Sequence, residues 1–371
     1  MEYHNLKSHA TRYTLPFEEC DTASCSQIGG KNAGLGGMIK ANAPVPPGFA
    51  IITEAYRKML ITGNLGKQIH TLLEQPDSVD MKSDAATSRA IRNLIERTPI
   101  PDDIEQAIRT AYMDLCQQCQ LDNVPVAVRS SATAEDLPGT SFAGQQDTFL
   151  WVVGINEILR HVSKCWSSVY TSRAIAYRNE KKFSHKDVYM SVGIQKMVNA
   201  RAAGVMFTLN PVSGDRSKVV IDASWGLGES VVGGEVTPDN YVVDKIAMKI
   251  IKKTVSSKTI EYRADPRNKC VRRVEVPPAR QTIQCLSDDA ILTLTKYANI
   301  AEKHFGSPQD LEWAIDADLR PPDNILLLQS RPETVWSGQK RTFISSDKKS
   351  ALDNIVSNLI TGVKIKLHDK R

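Results

Sequence analysis

Residues 28–38 read IGGKNAGLGGM, with a single lysine, Lys31, among five glycines. Glycine lets a backbone come close to a phosphate, a helix N-terminus favours anions, and lysine adds a mobile positive charge. The Ser or Thr that follows the lysine of a Walker loop is absent, so the run is not a P-loop. Taken alone, it is either a phosphate contact or a glycine turn with a surface lysine. Residues 127–150 read AVRSSATAEDLPGTSFAGQQDTFL. Arg129 stands at the end of an apolar, strand-like run, and its rigid fork suits bidentate phosphate contact. The following stretch, 130–144, is rich in hydroxyls and small residues, as a cover over phosphates is. The other reading is a surface loop with Arg129 paired to Glu135 or Asp136.

A third cluster depends on strand geometry. DLEWAID and NILLLQSRP are separated by the polar, proline-rich turn ADLRPPD. Paired as a hairpin, they set Glu312 opposite Gln329, with Ala314 facing Leu327. Alternate residues of a strand share a face, so Asp310 and Glu312 point with Gln329 and Arg331. A carboxylate beside an amide oxygen is a hard-oxygen pair suited to Mg²⁺, which keeps waters and phosphate oxygens as its other ligands. Arg331 is then in reach of those phosphates. The competing reading is a polar outer face with a Glu–Arg pair. In DASWGLGESVVGGEVTPDNY, a Gly-Leu-Gly turn follows a strand, but a strand rather than a long helix comes next. That argues against a dinucleotide fingerprint, and the turn instead brings Glu229 towards a cleft. Cys116 and Cys119 form C-x-x-C late in a helix with no second pair, which reads as helix packing rather than zinc or redox chemistry.

The elements that must hold these residues are mixed. The reading is a glycine-dense loop before a helix at 29–38, mostly helix from Thr53 to about Gln120, and strands at 124–128 and 146–153. A helix covers 156–182, and strands follow at 188–198, 203–209, 218–223 and 240–244. A further helix at 287–305 precedes the hairpin strands 310–315 and 324–330. A helix-rich first half and a strand-rich second half give an α+β chain of two lobes. The expected divisions are 1–190, 191–336 and a 337–371 segment in which a polar linker precedes an amphipathic helix at 351–367. With 371 residues, 47 basic and 42 acidic side chains, the charge is too balanced to imply nucleic acid or an anionic membrane as partner. No apolar run approaches the about 20 residues of a membrane span, and the N-terminus lacks a signal-like apolar core. The expected compartment is the cytoplasm. Seven cysteines, an odd number, read as reduced thiols.

Together, GGKNAGLGGM, VPVAVRSSATAEDLPGTSFAGQQDTFL, MVNARAAGVMFTLNPVSGD, DASWGLGESVVGGEVTPDNY and DLEWAI…LLLQSRP resemble the N-terminal ATP-binding domain of the phosphoenolpyruvate synthase and pyruvate phosphate dikinase family. Rifampin phosphotransferase and phenylphosphate synthase belong to the same group. The resemblance runs in order from about Gly29 to Pro332. It implies an ATP-grasp fold, two lobes enclosing Mg-ATP. It makes Lys31, Arg129 and Arg331 phosphate ligands and puts Gly144 and Thr148 in the covering loop. It sets Gln195 beside the adenine and makes Glu312 and Gln329 the Mg²⁺ ligands.

The departure is as informative as the match. Full-length members of this family continue into a swivelling domain, whose Thr-Ser-His histidine carries the phosphoryl group, and an acceptor-binding domain. The sequence ends before either, and Ser8-His9-Ala10 lacks the glycines and threonine of the carrier motif. The resemblance therefore implies an ATP-binding subunit like that of phenylphosphate synthase, or a truncated form of a longer enzyme. Such a subunit works with a separate histidine-bearing phosphocarrier and a small final acceptor such as phenol or pyruvate. Two other expectations stay open: a self-contained ATP-grasp kinase or ligase, and an ATP-sensing regulatory module.

Overall fold

A computed structural model describes residues 12–74, 81–133, 147–186 and 188–336. The chain begins with β1 (Thr14–Pro16), α1 (Cys25–Lys40) and β2 (Gly48–Ile51). Four helices follow, α2 (Thr53–Ile61), α3 (Leu65–Leu73), α4 (Met81–Arg97) and α5 (Asp102–Cys119). Next come β3 (Val126–Ala132), β4 (Thr148–Val152), α6 (Ile155–Ser167), α7 (Ser172–Lys181) and β5 (Met190–Lys196). The five strands form an antiparallel sheet in the order β1-β2-β5-β3-β4. One side of it meets the apolar faces of the helices. Val126, Val128, Ala132, Val192 and Ile194 share a core with Tyr56, Ile104, Ile108 and Trp166.

The second sheet contains β6 (Ala200–Phe207), β7 (Lys218–Trp225), β8 (Asp239–Asp244), β9 (Lys249–Thr254), β12 (Gln309–Asp316) and β13 (Ile325–Pro332). It runs antiparallel in the order β13-β12-β6-β7-β8-β9. Between β7 and β8 lies a single turn of helix, α8 (Glu229–Val232); between β9 and β12 come a separate hairpin, β10 (Ile260–Asp265) with β11 (Cys270–Glu275), then α9 (Pro278–Gln281) and α10 (Asp288–Phe305). The Ser287 hydroxyl accepts from Ala290 N at 3.3 Å and caps α10; Gly306, at φ 69°, ends it. The chain is thus α+β, and among the described residues no helix is long and apolar enough to cross a membrane.

Several details differ from the sequence reading for definable reasons. The helix expected over 156–182 is two, because Thr171 turns to extended backbone and its hydroxyl caps α7 through Ala174 N at 3.2 Å. The strand expected to open a second lobe at residue 191 pairs into the first sheet as β5, and the second sheet begins at β6. The two sheets do not draw their cores from consecutive halves of the chain. Phe17, Cys20, Ile28, Leu35, Met38 and Ile52, from the first sixty residues, lie in the core beneath the second sheet with Met206, Ile221, Leu294 and Trp313. The described residues up to Glu333 belong to one compact unit. The expected linker and helix over 337–371 lie outside the described residues.

The glycine run also differs. It is not a loop before a helix but part of α1, broken only at Gly29, where φ is 70°. Its glycines serve close packing. A Cβ at Gly34 would lie 2.5 Å from Ser330 O of β13, and one at Gly29 would lie 2.3 Å from Ser131 O of β3. The helix therefore sits nearly backbone to backbone against both sheets.

Candidate functional site

The site face of the first sheet follows from strand alternation. Val126, Val128 and Ala132 of β3 enter the helical core, so Ala127, Arg129 and Ser131 face the other way. Arg129 is mid-strand rather than at a strand end, because the small residues Ser130, Ser131 and Ala132 continue the pairing to β5. Ser131 Oγ donates to Ile28 O at 3.1 Å and accepts from Asn32 N at 3.4 Å, which fixes the start of α1 on β3. Asn32 Nδ2 donates to Ile28 O and to Ser191 Oγ of β5, and the Asn32 amide oxygen fills the space a Cβ at Gly193 would need. Lys31, two residues after the Gly29 break, donates to Ser130 O at 3.0 Å. The lysine is therefore one residue along β3 from Arg129.

The second wall comes from β12 and β13. Leu311, Trp313 and Ile315 enter the core, leaving Asp310, Glu312 and Ala314 on the opposite face. Glu312 pairs opposite Gln329 and Asp310 opposite Arg331. Beyond Glu312 the register shifts by one residue, so Ala314 faces Leu326 and not Leu327. The extra residue is Leu328, and the bulge aims its carbonyl into the site. Arg129 Nη1 donates to Glu312 Oε2 at 3.2 Å, to Leu328 O at 3.3 Å and to Gln329 Oε1 at 3.4 Å. Three oxygens of the second sheet thus converge on one cationic nitrogen of the first.

These groups line a cleft of about 480 Å³ that also includes Thr148, Leu150, Gly204, Gly228, Glu229, Val232, Glu235 and Tyr262. Two surface grooves are larger, about 570 Å³ each, but neither draws opposite charges from two sheets together. Buried polar atoms without a hydrogen-bond partner gather at the cleft: Arg129 Nε and Glu229 Oε2 in its lining, with Ser230 Oγ and Asp310 Oδ1 on adjoining residues. Orphaned atoms of this kind are rare in folded proteins and fit a polar ligand that supplies the missing contacts. Burial holds the Glu229 carboxyl above the usual carboxylate range; Arg129 opposes the rise and Glu312 adds to it. Burial also raises Asp310, against the opposing pull of Arg331. Beside the charged groups, Val198, Ala203 and Ala314 form a small apolar cluster with Ala200, Leu326 and Leu328.

The structure brings Arg129, Thr148, Glu312 and Gln329 into one cleft, with Thr148 directly opposite Arg129 in the β3–β4 pairing. Lys31 adjoins them through Ser130. Gln195 lies on β5 opposite Ala127, two residues along from Arg129, and is 2% exposed with Nε2 unpartnered. Arg331 is not in the cleft lining. It is half-exposed and pairs with Asp310 at 3.3 Å. Gly144, most of the covering loop, Glu135 and Asp136 lie outside the described residues; among the described residues the carboxylate that pairs with Arg129 is Glu312. Glu229 reaches the cleft because Gly226, at φ 72°, turns the chain between β7 and α8. Tyr262 and Glu235 were not singled out from sequence. The signal for Tyr262 was the alternation Ile260, Tyr262, Ala264 followed by the Asp-Pro-Arg-Asn turn. All seven cysteines are free thiols, and among the described residues no group of three or more His, Cys, Asp or Glu stands ready for a metal.

Sequence comparison gives this geometry a context. The pyruvate phosphate dikinase AMP/ATP-binding domain model matches residues 25–351. The chain is 43% identical over 350 residues to a probable phosphoenolpyruvate synthase of Staphylothermus marinus, covering 89% of this chain and 42% of that protein. It is 42% identical over 353 residues to a phosphoenolpyruvate synthase of Aeropyrum pernix, covering 89% and 43%. It is 40% identical over 356 residues to a probable phosphoenolpyruvate synthase of Methanocaldococcus jannaschii, covering 96% and 29%. The chain spans less than half the length of each of these relatives.

Proposed function

This chain belongs to the family of pyruvate phosphate dikinase AMP/ATP-binding domains, and on that basis we propose that it is an ATP-grasp module that cleaves Mg-ATP and passes the β-phosphoryl group to a histidine on a partner subunit. The observation that carries the reading is the convergence of Arg129 with Glu312, Gln329 and Leu328 O across the cleft. A guanidinium for phosphates and a hard-oxygen pair for a divalent cation stand in contact where a polyphosphate would separate them. The oxygens of Glu312 and Gln329 already converge on a cation, so this donor set fits Mg²⁺. When bound, the metal supplies neutralisation of the charge that develops as a phosphoryl group leaves.

In this reading the purine base rests on the apolar cluster of Val198, Ala203, Ala314 and Leu328, with Gln195 beside it. Lys31 and Arg129 hold the phosphate chain in line, and Arg331 turns from Asp310 to the terminal phosphate. Thr148 and Gly144 belong to the segment that covers the phosphates. The carrier imidazole attacks at the β-phosphorus, AMP leaves, and water takes the γ-phosphoryl group as phosphate. The β-phosphoryl group then passes from the histidine to a small acceptor such as phenol or pyruvate. The test uses ATP labelled at the β and then at the γ position, with and without a Thr-Ser-His-bearing partner chain. Acid-labile label on the partner from the β position alone is the expected result. AMP formation with a small acceptor and no partner overturns the relay in favour of a self-contained kinase.

A further inference from the structure

We propose that Asp239 and Lys258 are positioning residues, whose buried ion pair holds the cleft wall that carries Glu229. That this wall serves Mg-ATP rests on the function proposed above; that the pair holds it does not. The pair lies behind the cleft lining, with Lys258 Nζ 2.5 Å from Asp239 Oδ1 and both side chains fully buried. Asp239 opens β8, and Lys258 lies two residues before β10. Both carboxylate oxygens have further donors. Oδ1 accepts from Ser256 N at 3.0 Å, and Oδ2 accepts from Cys285 N at 2.8 Å and from Tyr241 Oη at 3.1 Å. Lys258 Nζ also donates to Ser256 O at 2.7 Å. A buried ion pair is costly to desolvate, and an apolar pair of equal volume often stabilises a fold as well. What the charged pair adds is direction. One carboxylate fixes the start of β8, the run before β10 and the run before α10.

The wall is the run 226–238, from which Gly228, Glu229, Val232, Gly233 and Glu235 line the cleft. At its start Gly226 N donates to Arg201 O of β6 at 3.1 Å. The next attachments are to β10. Leu227 N donates to Tyr262 O at 2.8 Å, a Cβ at Gly226 would lie 2.2 Å from that oxygen, and Glu235 Oε1 accepts from Tyr262 Oη at 2.8 Å. Arg273 of β11 adds a contact to Glu235 at 3.5 Å. Between these points the backbone bonds of the wall are internal, such as Val232 N to Gly228 O and Glu235 N to Ser230 O. The wall then runs into Asp239. Its position therefore depends on where β10 stands relative to β8. Among the described residues no backbone ladder joins those two strands, because β10 pairs with β11 and β8 pairs with β7 and β9. The Asp239–Lys258 pair is the tie between them.

The test compares Lys258→Met with Lys245→Met in the full chain. Lys245 follows the other end of β8 and pairs with Glu302 of α10, so its loss breaks an ion pair of the same sheet that touches no part of the wall. Both substitutions should lower the melting temperature. Amide hydrogen exchange over 226–238 should quicken in Lys258→Met alone, while β12 and β13 keep wild-type rates in both. Mg-ATP affinity, measured by calorimetry below both melting transitions, should fall on the order of tenfold in Lys258→Met, the size of one misplaced charged contact. It should stay at the wild-type value in Lys245→Met. Tyr241→Phe removes only the hydroxyl bond to Asp239 and should give smaller changes in the same direction; it decides the question if Lys258→Met does not fold. Unchanged exchange over 226–238 overturns the proposal. So does a loosened wall with wild-type Mg-ATP affinity, or an equal loss of affinity in both lysine variants, which would make the pair a stability element alone. If wild type binds no Mg-ATP, the function proposed above falls, and the exchange measurement alone decides whether the pair holds the wall.

Discussion

Glu312→Gln should tighten the binding of metal-free ATP and at the same time destroy its enhancement by magnesium. In the cleft, Arg129 is held by Glu312 at 3.2 Å, with the two side chains 15% and 31% exposed. A phosphate that binds Arg129 without a metal must first displace this carboxylate. At that distance and an effective dielectric of about 20, the bare attraction is about 5 kcal/mol. The guanidinium stays cationic beside an amide, so the change removes only the ion-pair part of the bond, up to about 1 kcal/mol for a partly exposed pair, a gain in metal-free affinity of up to about fivefold. Removal of the repulsion between Glu312 and the triphosphate adds to that gain. Calorimetric titration of ATP in chelator and again in magnesium reads both arms. Wild type should bind far better with magnesium; Glu312→Gln should show little difference and no phosphoryl transfer. In an Arg129→Gln background the metal-free gain should vanish, because no ion pair remains to be broken. Unchanged or weaker metal-free binding in Glu312→Gln refutes the view that the two halves of the site neutralise each other.

Three further outcomes follow from the same geometry. Lys31→Ala and Arg129→Ala should each weaken Mg-ATP binding about tenfold or more in the same titration; wild-type affinity in both would remove them from the site. Gly34→Ala puts a Cβ 2.5 Å from Ser330 O and should cost about 1–3 kcal/mol in denaturant unfolding as α1 is pushed off β13; an unchanged midpoint would show that the helix is not tightly seated. His185 accepts from Arg178 Nε at 2.8 Å and is held neutral by burial, its pKa pushed down to about 4. The unfolded imidazole takes up its proton below about 6.5, so its stabilising contribution is complete above that pH and is lost as pH falls towards about 4. His185→Gln should flatten the fall of melting temperature across that window.

The parts of the site legible in the sequence were those set by short-range periodicity. Alternation in DLEWAI and LLLQSRP put Glu312 opposite Gln329, and the hairpin does so. It could not reveal the bulge at Leu328, because alternation along one strand does not encode a shift of register on its partner. In isolation the glycines of α1 fit either a phosphate contact or a glycine turn. Two of their actual neighbours, Ser330 and Ser131, are far away in sequence. Arg129 stands out in its local sequence, but the side-chain partners it has among the described residues lie 183 and 200 residues away. A local reading could offer only Glu135 and Asp136. β2, β9 and the β10–β11 hairpin are short or polar strands whose pairing comes from neighbours rather than their own pattern.

The core beneath the second sheet has a bearing on how this polypeptide can be divided. A gene cut at the change of sheets, near Val198, would leave the distal piece without Phe17, Ile28, Leu35, Met38 and Ile52, all of them buried in that core. Each such side chain contributes about 1.5–3 kcal/mol by burial, so the distal fragment would be expressed with an uncovered apolar surface and would aggregate. The proximal fragment would carry α1 with no β13 to rest on. The inheritable unit of this fold is therefore neither sheet alone; it is the pair, joined by side chains between Phe17 and Ile52.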